Sequence, residues 1–148
     1  MVEKNIVRFF FDCPAFWFPN RTETKEFIAR IFKKEKLRLS SVHYIFCSDE
    51  TLRNMNERFL NHPDYTDILT FPLSDKGEPI SGEIYISIDR IRDNSLIFNN
   101  NFRTEFLRVL FHGALHLCNY DDHTAKEIKK MRAREDFYLD LFKKSSAK

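Results

Sequence analysis

His112 and His116 lie four residues apart in a mainly apolar segment, and Asp121, Asp122 and His123 follow closely behind them. Positions i and i+4 of an α-helix share one face, so two imidazoles with this spacing can bind one metal ion. A third ligand from the loop after the helix would leave one coordination position open. This pattern is typical of a catalytic zinc site, in which the histidines act through a water on the metal.

The loop after the second histidine offers two candidates for the third ligand. A carboxylate oxygen from Asp122 and an imidazole nitrogen from His123 both suit zinc at about 2.0–2.2 Å. Thr124 and Glu127 have the spacing of a capping box, which predicts that a final helix begins there and leaves both candidates just outside it. The neighbouring Asp121 is a candidate for orienting a ligand by a hydrogen bond.

The helix that carries the histidines is predicted at about residues 102–118 and is apolar on most sides, so it should be central and buried. A narrow polar stripe runs along it at spacings of three and four residues: Asn101, Glu105, Arg108, His112 and His116. Such polar groups in a buried helix either satisfy one another or bind something. For one histidine the first explanation is better, whereas two histidines with a carboxylate close behind favour a metal.

Gly113 follows His112 where zinc proteases of the His-Glu-x-x-His type carry their general base. Its presence argues against peptide hydrolysis by that route, so a metal hydrolase of peptides or small esters is the weakest alternative. Glycine in a helix also costs about 1 kcal/mol relative to alanine. We therefore expect Gly113 to permit the close approach of another element or of a substrate.

The rest of the chain predicts the elements that must position these residues. β-Branched and aromatic stretches predict strands at residues 5–11, 39–46, 66–72 and 82–88. Apolar residues at helical spacing predict helices at residues 24–36, 49–60, 89–98, 102–118 and from 124 to about 142. A short turn between the last two strands predicts a hairpin. The predicted fold class is α+β.

The length of 148 residues suits one domain over residues 1–148, with a frayed tail from about residue 143. No membrane-length apolar run or signal peptide is found, and Cys13, Cys47 and Cys118 are an odd, widely spaced set. A reducing cytoplasm and no membrane partner are therefore expected. We interpret Cys118 as a buried apolar residue and not a ligand.

The net charge of +2 does not by itself indicate nucleic-acid binding. Two basic clusters are present: Arg30, Lys33, Lys34, Lys36 and Arg38 in one, and Lys126, Lys129, Lys130, Arg132 and Arg134 in the other. Solvated helix faces explain most of these side chains. A track for an RNA backbone is the alternative explanation, and it needs independent support for an RNA substrate.

The segment from His112 to His123 resembles the signature of the YbeY family, His-Gly-x-Leu-His-Leu-x-Gly-Tyr-Asp-His. Segments 56–60 with 66–72, and Gly82 to Ser87, resemble two further motifs of that family in the same order. The resemblance runs from about residue 40 to about residue 136. Three motifs in the right order are far more specific than one pair of histidines.

The resemblance implies a small mixed four-stranded sheet packed with about five helices and a metal site on the central buried helix. It also implies a metal-dependent endoribonuclease, specific for single strands, that acts in ribosomal RNA processing and ribosome biogenesis. Zn²⁺ is the expected cofactor. The expected partners are RNA of the small ribosomal subunit and ribosomal proteins. The register of the signature favours Asp122 as the third ligand and leaves His123 as the alternative.

Two positions depart from the family pattern. Asn119 replaces a glycine and is predicted to end the helix in the left-handed conformation. Leu60 stands where the family carries a functional arginine suited to holding a substrate phosphate, a role that leucine cannot fill. Arg58 and His62 lie nearby but out of register.

The departure at Leu60 supports an alternative function, a non-catalytic ribosome-assembly factor that uses the metal as a structural clamp. Four protein ligands, with both Asp122 and His123 bound, would favour the clamp. An open coordination position would favour the enzyme.

Overall fold

Four strands and five helices follow one another in the part of the chain that this computed structural model describes, residues 6–13, 18, 20–60 and 66–146. They are β1 (Val7–Asp12), α1 (Arg21–Lys34), β2 (Leu39–Cys47), α2 (Asp49–Leu60), β3 (Ile68–Pro72), β4 (Ile80–Ser87), α3 (Ile88–Ile97), α4 (Phe102–Leu117) and α5 (Ala125–Ser146). The predicted α+β class is confirmed.

The sheet is mixed, with the strand order β1-β2-β4-β3. β2 lies between β1 and β4 and is parallel to both, so that Val42 pairs with Val7 on one side and Gly82 on the other. β3 is antiparallel to β4, from the Ile68–Ile86 pair to the Pro72–Gly82 pair. The predicted hairpin and the mixed four-stranded sheet are therefore both confirmed.

Alternation of side chains along the strands creates one fully buried face of the sheet. Val42, Tyr44 and Phe46 of β2 and Ile84 and Ile86 of β4 have no exposed surface. They pack in one core with the buried faces of α1, α4 and α5. The opposite face is covered in part by α2, whose Leu52 packs with Cys47 and Leu69.

Helix α4 is the central helix of the fold, as the sequence predicted. The side chain of Asn101 caps its start by accepting a hydrogen bond from the Thr104 N–H at 2.7 Å. Phe111 and Leu110 are fully buried, and the Tyr44 hydroxyl donates to the Leu110 carbonyl at 2.8 Å. The strand and the helix are thus joined by a buried hydrogen bond as well as by apolar packing.

Two glycines allow α4 to lie close to the β3–β4 hairpin. A Cβ atom at Gly113 would lie 2.9 Å from Ile84 Cγ2 and 3.0 Å from Ile68 Cδ1. A Cβ atom at Gly82 would lie 2.8 Å from a methyl group of Leu117. Gly113 therefore admits another element of the fold, which was one of the two explanations expected for it.

Two helix ends differ by three residues or more from the predicted ones. α1 begins at Arg21 and not at Thr24, because the Thr24 side chain lies inside the helix and donates to the Asn20 carbonyl at 2.7 Å. α5 continues to Ser146, about one turn beyond the predicted end near Phe142. The apolar periodicity stops at Phe142, but a Lys144–Asp140 ion pair of 3.0 Å supports the additional turn.

Among the helices in the described ranges, none is both long enough and apolar enough to cross a membrane.

Replacing Gly113 with alanine tests the close packing of α4. We expect overpacking to cost about 1–3 kcal/mol of the free energy of unfolding, offset in part by about 1 kcal/mol of improved helix propensity. In an Ile84→Ala background two of the three obstructing methyl groups are gone and only Ile68 Cδ1 remains, so Gly113→Ala should then cost much less. Denaturant unfolding of the four proteins in this cycle measures the coupling. Equal effects of Gly113→Ala in both backgrounds would contradict the assignment.

Candidate metal centre

A tight turn after α4 brings the following loop back beside the helix. Asn119 adopts the left-handed conformation with φ of 74°, as the sequence predicted. The N–H of Tyr120 donates to the Leu115 carbonyl and the N–H of Asn119 donates to the His116 carbonyl, both at 3.0 Å. These two bonds are those of a Schellman motif, which ends the helix without leaving its last carbonyls unpaired.

The turn places Asp122 against both histidines. Its Oδ2 atom lies 3.3 Å from Nε2 of His112 and 3.4 Å from Nε2 of His116. The two imidazole rings lie 4.5 Å apart between centroids and nearly perpendicular to each other. One possible ligand atom from each of the three residues lies within 4.8 Å of the others, and no other such group occurs among the described residues. We call this group the His–His–Asp cluster.

The spacing of the cluster fits a tetrahedral metal ion. Two donors that each lie about 2.0–2.2 Å from a tetrahedral ion are separated by roughly 3.3–3.6 Å. Both distances from Asp122 to the imidazole nitrogens agree with this value. Two imidazole nitrogens and one carboxylate oxygen are also a donor set that zinc accepts. Three donors leave a fourth position open.

Glu135 of α5 orients His112 from the opposite side of the ring. Its side chain is only 4% exposed, and its Oε2 lies 2.5 Å from Nδ1 of His112. Because a carboxylate accepts, we assign the proton to Nδ1, which leaves the Nε2 lone pair directed at the cluster. Arg108 donates to Glu135 at 2.9 Å and to Asp136 at 2.6 Å, which compensates the buried charge.

Sequence reasoning missed Glu135, although a signal was present. The buried face of α5 carries Met131, Glu135, Tyr138 and Phe142 at helical spacing. A carboxylate among buried apolar residues needs a partner. The polar stripe on α4 supplies that partner through Arg108 and His112.

The two histidines have pKa values shifted in opposite directions. Burial lowers the pKa of His112, but the hydrogen bond to Glu135 and the charges of Glu135, Asp122 and Asp67 outweigh burial and raise it overall. Burial and the nearby positive charge of His112 lower the pKa of His116. Burial raises the pKa of Asp67. The second imidazole is therefore held in the neutral form that binds metals.

An open cleft of about 830 Å³ surrounds the cluster. Five carboxylates of the described residues line it: Asp67, Glu105, Asp121, Asp122 and Glu135. Arg108 and Arg132 are its basic residues. The hydroxyl oxygen of Thr70 also lies in this wall, buried and without a hydrogen-bond partner within the described residues. The described wall of the cleft is therefore strongly acidic.

The remaining candidates lie near the cluster without joining it. Asp121 and His123 both line the cleft and are exposed. Neither belongs to the His–His–Asp cluster, and no hydrogen bond from Asp121 to a histidine of the cluster is among the described contacts. Cys118 is buried at the end of α4, as expected for an apolar residue.

The residues at and next to the main departure from the family pattern, Leu60, are described only in part. Leu60 is the last residue of α2, and its side chain lies outside the described part of the structure. His62 lies outside the described residues as well. Arg58 is exposed on α2 and does not line the cleft.

Glu35, immediately after α1, holds the loop and α5 together from behind the cluster. It accepts hydrogen bonds from the Tyr120 hydroxyl at 2.8 Å, from Arg134 at 2.8 and 2.9 Å, and from the Tyr138 hydroxyl. Tyr120 stands two residues before Asp122, and Arg134 stands next to Glu135. One buried carboxylate therefore fixes both segments that meet at the cluster.

Comparison with known proteins gives consistent matches. A family model described as "Endoribonuclease YbeY" matches residues 18–143. An endoribonuclease YbeY of Cytophaga hutchinsonii is 43% identical over 96% of this chain and 99% of its own length. One of Amoebophilus asiaticus is 37% identical over 94% of both chains. A Thermotoga maritima protein, whose structure was solved in solution, aligns with a TM-score of 0.61 at 30% identity, over 92% of this chain and 88% of that one.

Removing the charge of Glu35 tests its role in stability. Burial raises the pKa of this carboxyl, but hydrogen bonds from Tyr138, Tyr120 and Arg134 outweigh burial and lower it below its ordinary value of 4.5. Its stabilising effect is therefore complete above that value and is lost as the pH falls through the lower pKa of the folded state. Glu35→Gln should reduce the free energy of unfolding at pH 7 by about 1–3 kcal/mol.

The difference between Glu35→Gln and the parent protein should shrink as the pH falls from about 5 to about 3. Denaturant unfolding across this range measures it. Glu26→Gln, at an exposed position on α1, is the matched control and should change little. A constant difference between Glu35→Gln and the parent protein at every pH would contradict the assignment.

Proposed function

Because the chain belongs to the YbeY endoribonuclease family, we propose that it is a metal-dependent endoribonuclease that cleaves single-stranded RNA in ribosomal RNA processing and ribosome biogenesis. The observation that carries this proposal is the position of Asp122 Oδ2, 3.3 and 3.4 Å from the two imidazole nitrogens, in an open cleft. Membership of the family indicates RNA as the substrate, and the geometry identifies residues suited to the chemistry.

His112, His116 and Asp122 are the proposed metal ligands, and Zn²⁺ is the proposed ion. The donor types and the donor spacing support this assignment. When bound, the ion supplies positive charge next to the phosphodiester and lowers the pKa of a nearby water. Its charge also offsets the acidic floor of the cleft, where a polyanion would otherwise be repelled.

The protein's own residues act by orientation and by charge. Glu135 keeps the proton of His112 on Nδ1, so that Nε2 remains a donor. Arg108 balances the charge of Glu135 and also pairs with Asp136, so its guanidinium group is already engaged within the protein. Arg132 lines the cleft and has no ion pair among the described residues, which makes it the basic side chain suited to a substrate phosphate.

The proposed partners are RNA of the small ribosomal subunit and ribosomal proteins, and the proposed location is the cytoplasm. Cys13, Cys47 and Cys118 are free thiols, which is consistent with a reducing compartment.

The alternative, a non-catalytic assembly factor with a structural metal clamp, is less favoured. A structural zinc site is closed by four protein ligands. Among the described residues, three possible ligands lie close enough to one another to share an ion, and Asp121 and His123 do not belong to this cluster. A tetrahedral ion held by these three residues would keep one position for a reacting molecule.

Substitution of both histidines tests the metal centre. The double variant His112→Ala/His116→Ala should lose the bound ion, measured by elemental analysis of protein purified without chelator, and should lose cleavage of single-stranded RNA. His43→Ala is the matched control, because His43 lies on β2 against Phe10 and away from the cleft. Cleavage by the metal-free double variant at the rate of the parent protein would refute the proposal.

Glu135→Gln tests the orientation of His112 separately. We expect metal affinity to fall by about 10- to 100-fold, since the charged acceptor that fixes the imidazole is lost. Asp136→Asn is the control, because Asp136 contacts Arg108 but has no contact with His112 among the described ones. Competition with a chelating dye measures both affinities. Equal metal affinity for Glu135→Gln and Asp136→Asn would show that Glu135 does not act through the imidazole.

A further inference from the structure

A second groove continues from the cleft past the end of α4. It has a volume of about 400 Å³ and shares two wall residues, His116 and Pro72, with the cleft around the His–His–Asp cluster. Its other walls come from the turn between α1 and β2 and from the β3–β4 hairpin. We call it the flanking groove. The two depressions are therefore adjacent at the cluster, and a chain molecule bound at the cluster has the groove next to it.

Three basic side chains line the flanking groove. Lys36 lies in the turn between α1 and β2, and Arg38 lies just before β2. Lys76 lies in the turn of the β3–β4 hairpin. All three are exposed, and none makes an ion pair among the described residues. By contrast, Arg108 and Arg134 are each paired with buried carboxylates. The positive charge of the groove is thus available to a ligand, whereas much of the arginine charge nearby is already neutralised.

The backbone of both walls is held in place by hydrogen bonds. The N–H of Lys36, which has a φ of 65°, donates to the Lys33 carbonyl at 3.0 Å. The N–H of Ile80 donates to the Arg38 carbonyl at 2.8 Å and links the two walls directly. On the hairpin, the N–H of Ser81 donates to the Ser74 hydroxyl at 3.0 Å. The basic side chains therefore extend from fixed points, which reduces the entropy lost on binding.

The chemistry of the groove suits phosphates better than bases. Among the described residues, no phenylalanine, tyrosine or tryptophan lines it, so these residues offer no platform for stacking of unpaired bases. Two carboxylates, Asp75 and Glu78, lie on the hairpin side, and Glu78 accepts a hydrogen bond from the Asp75 N–H at 2.8 Å. Lysine and arginine neutralise backbone phosphates without reading sequence. The ligand expected from these residues is a sugar–phosphate backbone.

We propose that the flanking groove binds the phosphates of single-stranded RNA next to the cleavage position, through Lys36, Arg38 and Lys76 and without regard to base sequence. This inference rests on the proposed function of the cluster. It helps to explain how a polyanion is retained beside a cleft with five described carboxylates: the neighbouring groove adds basic side chains outside the acidic floor.

The test compares two triple variants of equal charge loss. Lys36→Ala/Arg38→Ala/Lys76→Ala removes the basic groove residues. Arg8→Ala/Arg92→Ala/Arg103→Ala removes three exposed basic residues that belong to neither basic cluster and line neither the cleft nor the groove. The probes are fluorescent oligouridylate and oligoadenylate of about twelve nucleotides, and oligouridylate of about four. Binding is measured on the metal-loaded protein over a series of salt concentrations, with readings taken before cleavage of the probe is detectable.

The groove variant should bind both longer probes at least about tenfold more weakly than the parent protein. Its slope of log affinity against log salt should be smaller by about 2, as expected for three lost contacts to a single strand. Binding of the short probe should change much less, because it fits within the cleft. The control variant should behave as the parent protein in all these measurements. Each single substitution should give a part of the effect, which guards against a folding defect in the triple variant.

Two outcomes separate the groove from the cluster. If the parent protein cleaves RNA but the groove variant binds and cleaves the longer probes like the parent, the groove inference is overturned and the proposed function stands. If the parent neither binds nor cleaves single-stranded RNA, both fail together. A strong preference of the parent for one longer probe, lost in the groove variant, would overturn recognition through phosphates alone.

Discussion

The close contact between α4 and the β3–β4 hairpin is the constraint on which the rest of the structure depends. Gly113 and Gly82 have no side chains to hold α4 away from the sheet, and the side chains of Ile84 and Leu117 fill the space beside these glycines. The backbone of α4 is therefore fixed at the level of His112 and His116. Their imidazoles, which are half-buried, stand at the edge of the core and face an open cleft.

Burying the polar residues of α4 costs free energy, and the fold offsets this cost by pairing them with charged partners. Arg108 and His112 share the buried carboxylate of Glu135, which belongs to the last helix. In the same way, the carboxylate of Glu35 accepts hydrogen bonds from both Tyr120 and Arg134. These two acids, from opposite ends of the chain, join α1, α5 and the loop after α4 around the cluster. Stability and the geometry of the site consequently depend on the same hydrogen bonds.

The parts of the site that depend on local sequence could be predicted, and those that depend on tertiary contacts could not. Helical spacing places His112 and His116 together, and Asn119 and the Thr124 capping box define the turn between two helices. The strands, the hairpin and the central helix follow from periodicity in the same way. Glu135 and Glu35 were missed because their partners are distant in sequence: 23 residues separate Glu135 from His112, and 99 separate Glu35 from Arg134.

The Schellman turn after α4 has a consequence for the thermodynamics of metal binding. It lets all three members of the His–His–Asp cluster come from one short stretch of chain, His112 to Asp122. Closing so short a loop costs little entropy even in an unfolded chain, so an ion held by these three residues would keep some affinity for the unfolded protein. An ion that binds both states stabilises the folded one only by the difference between its two affinities. An ion in the proposed site would therefore stabilise the fold by less than its affinity for the folded protein alone implies.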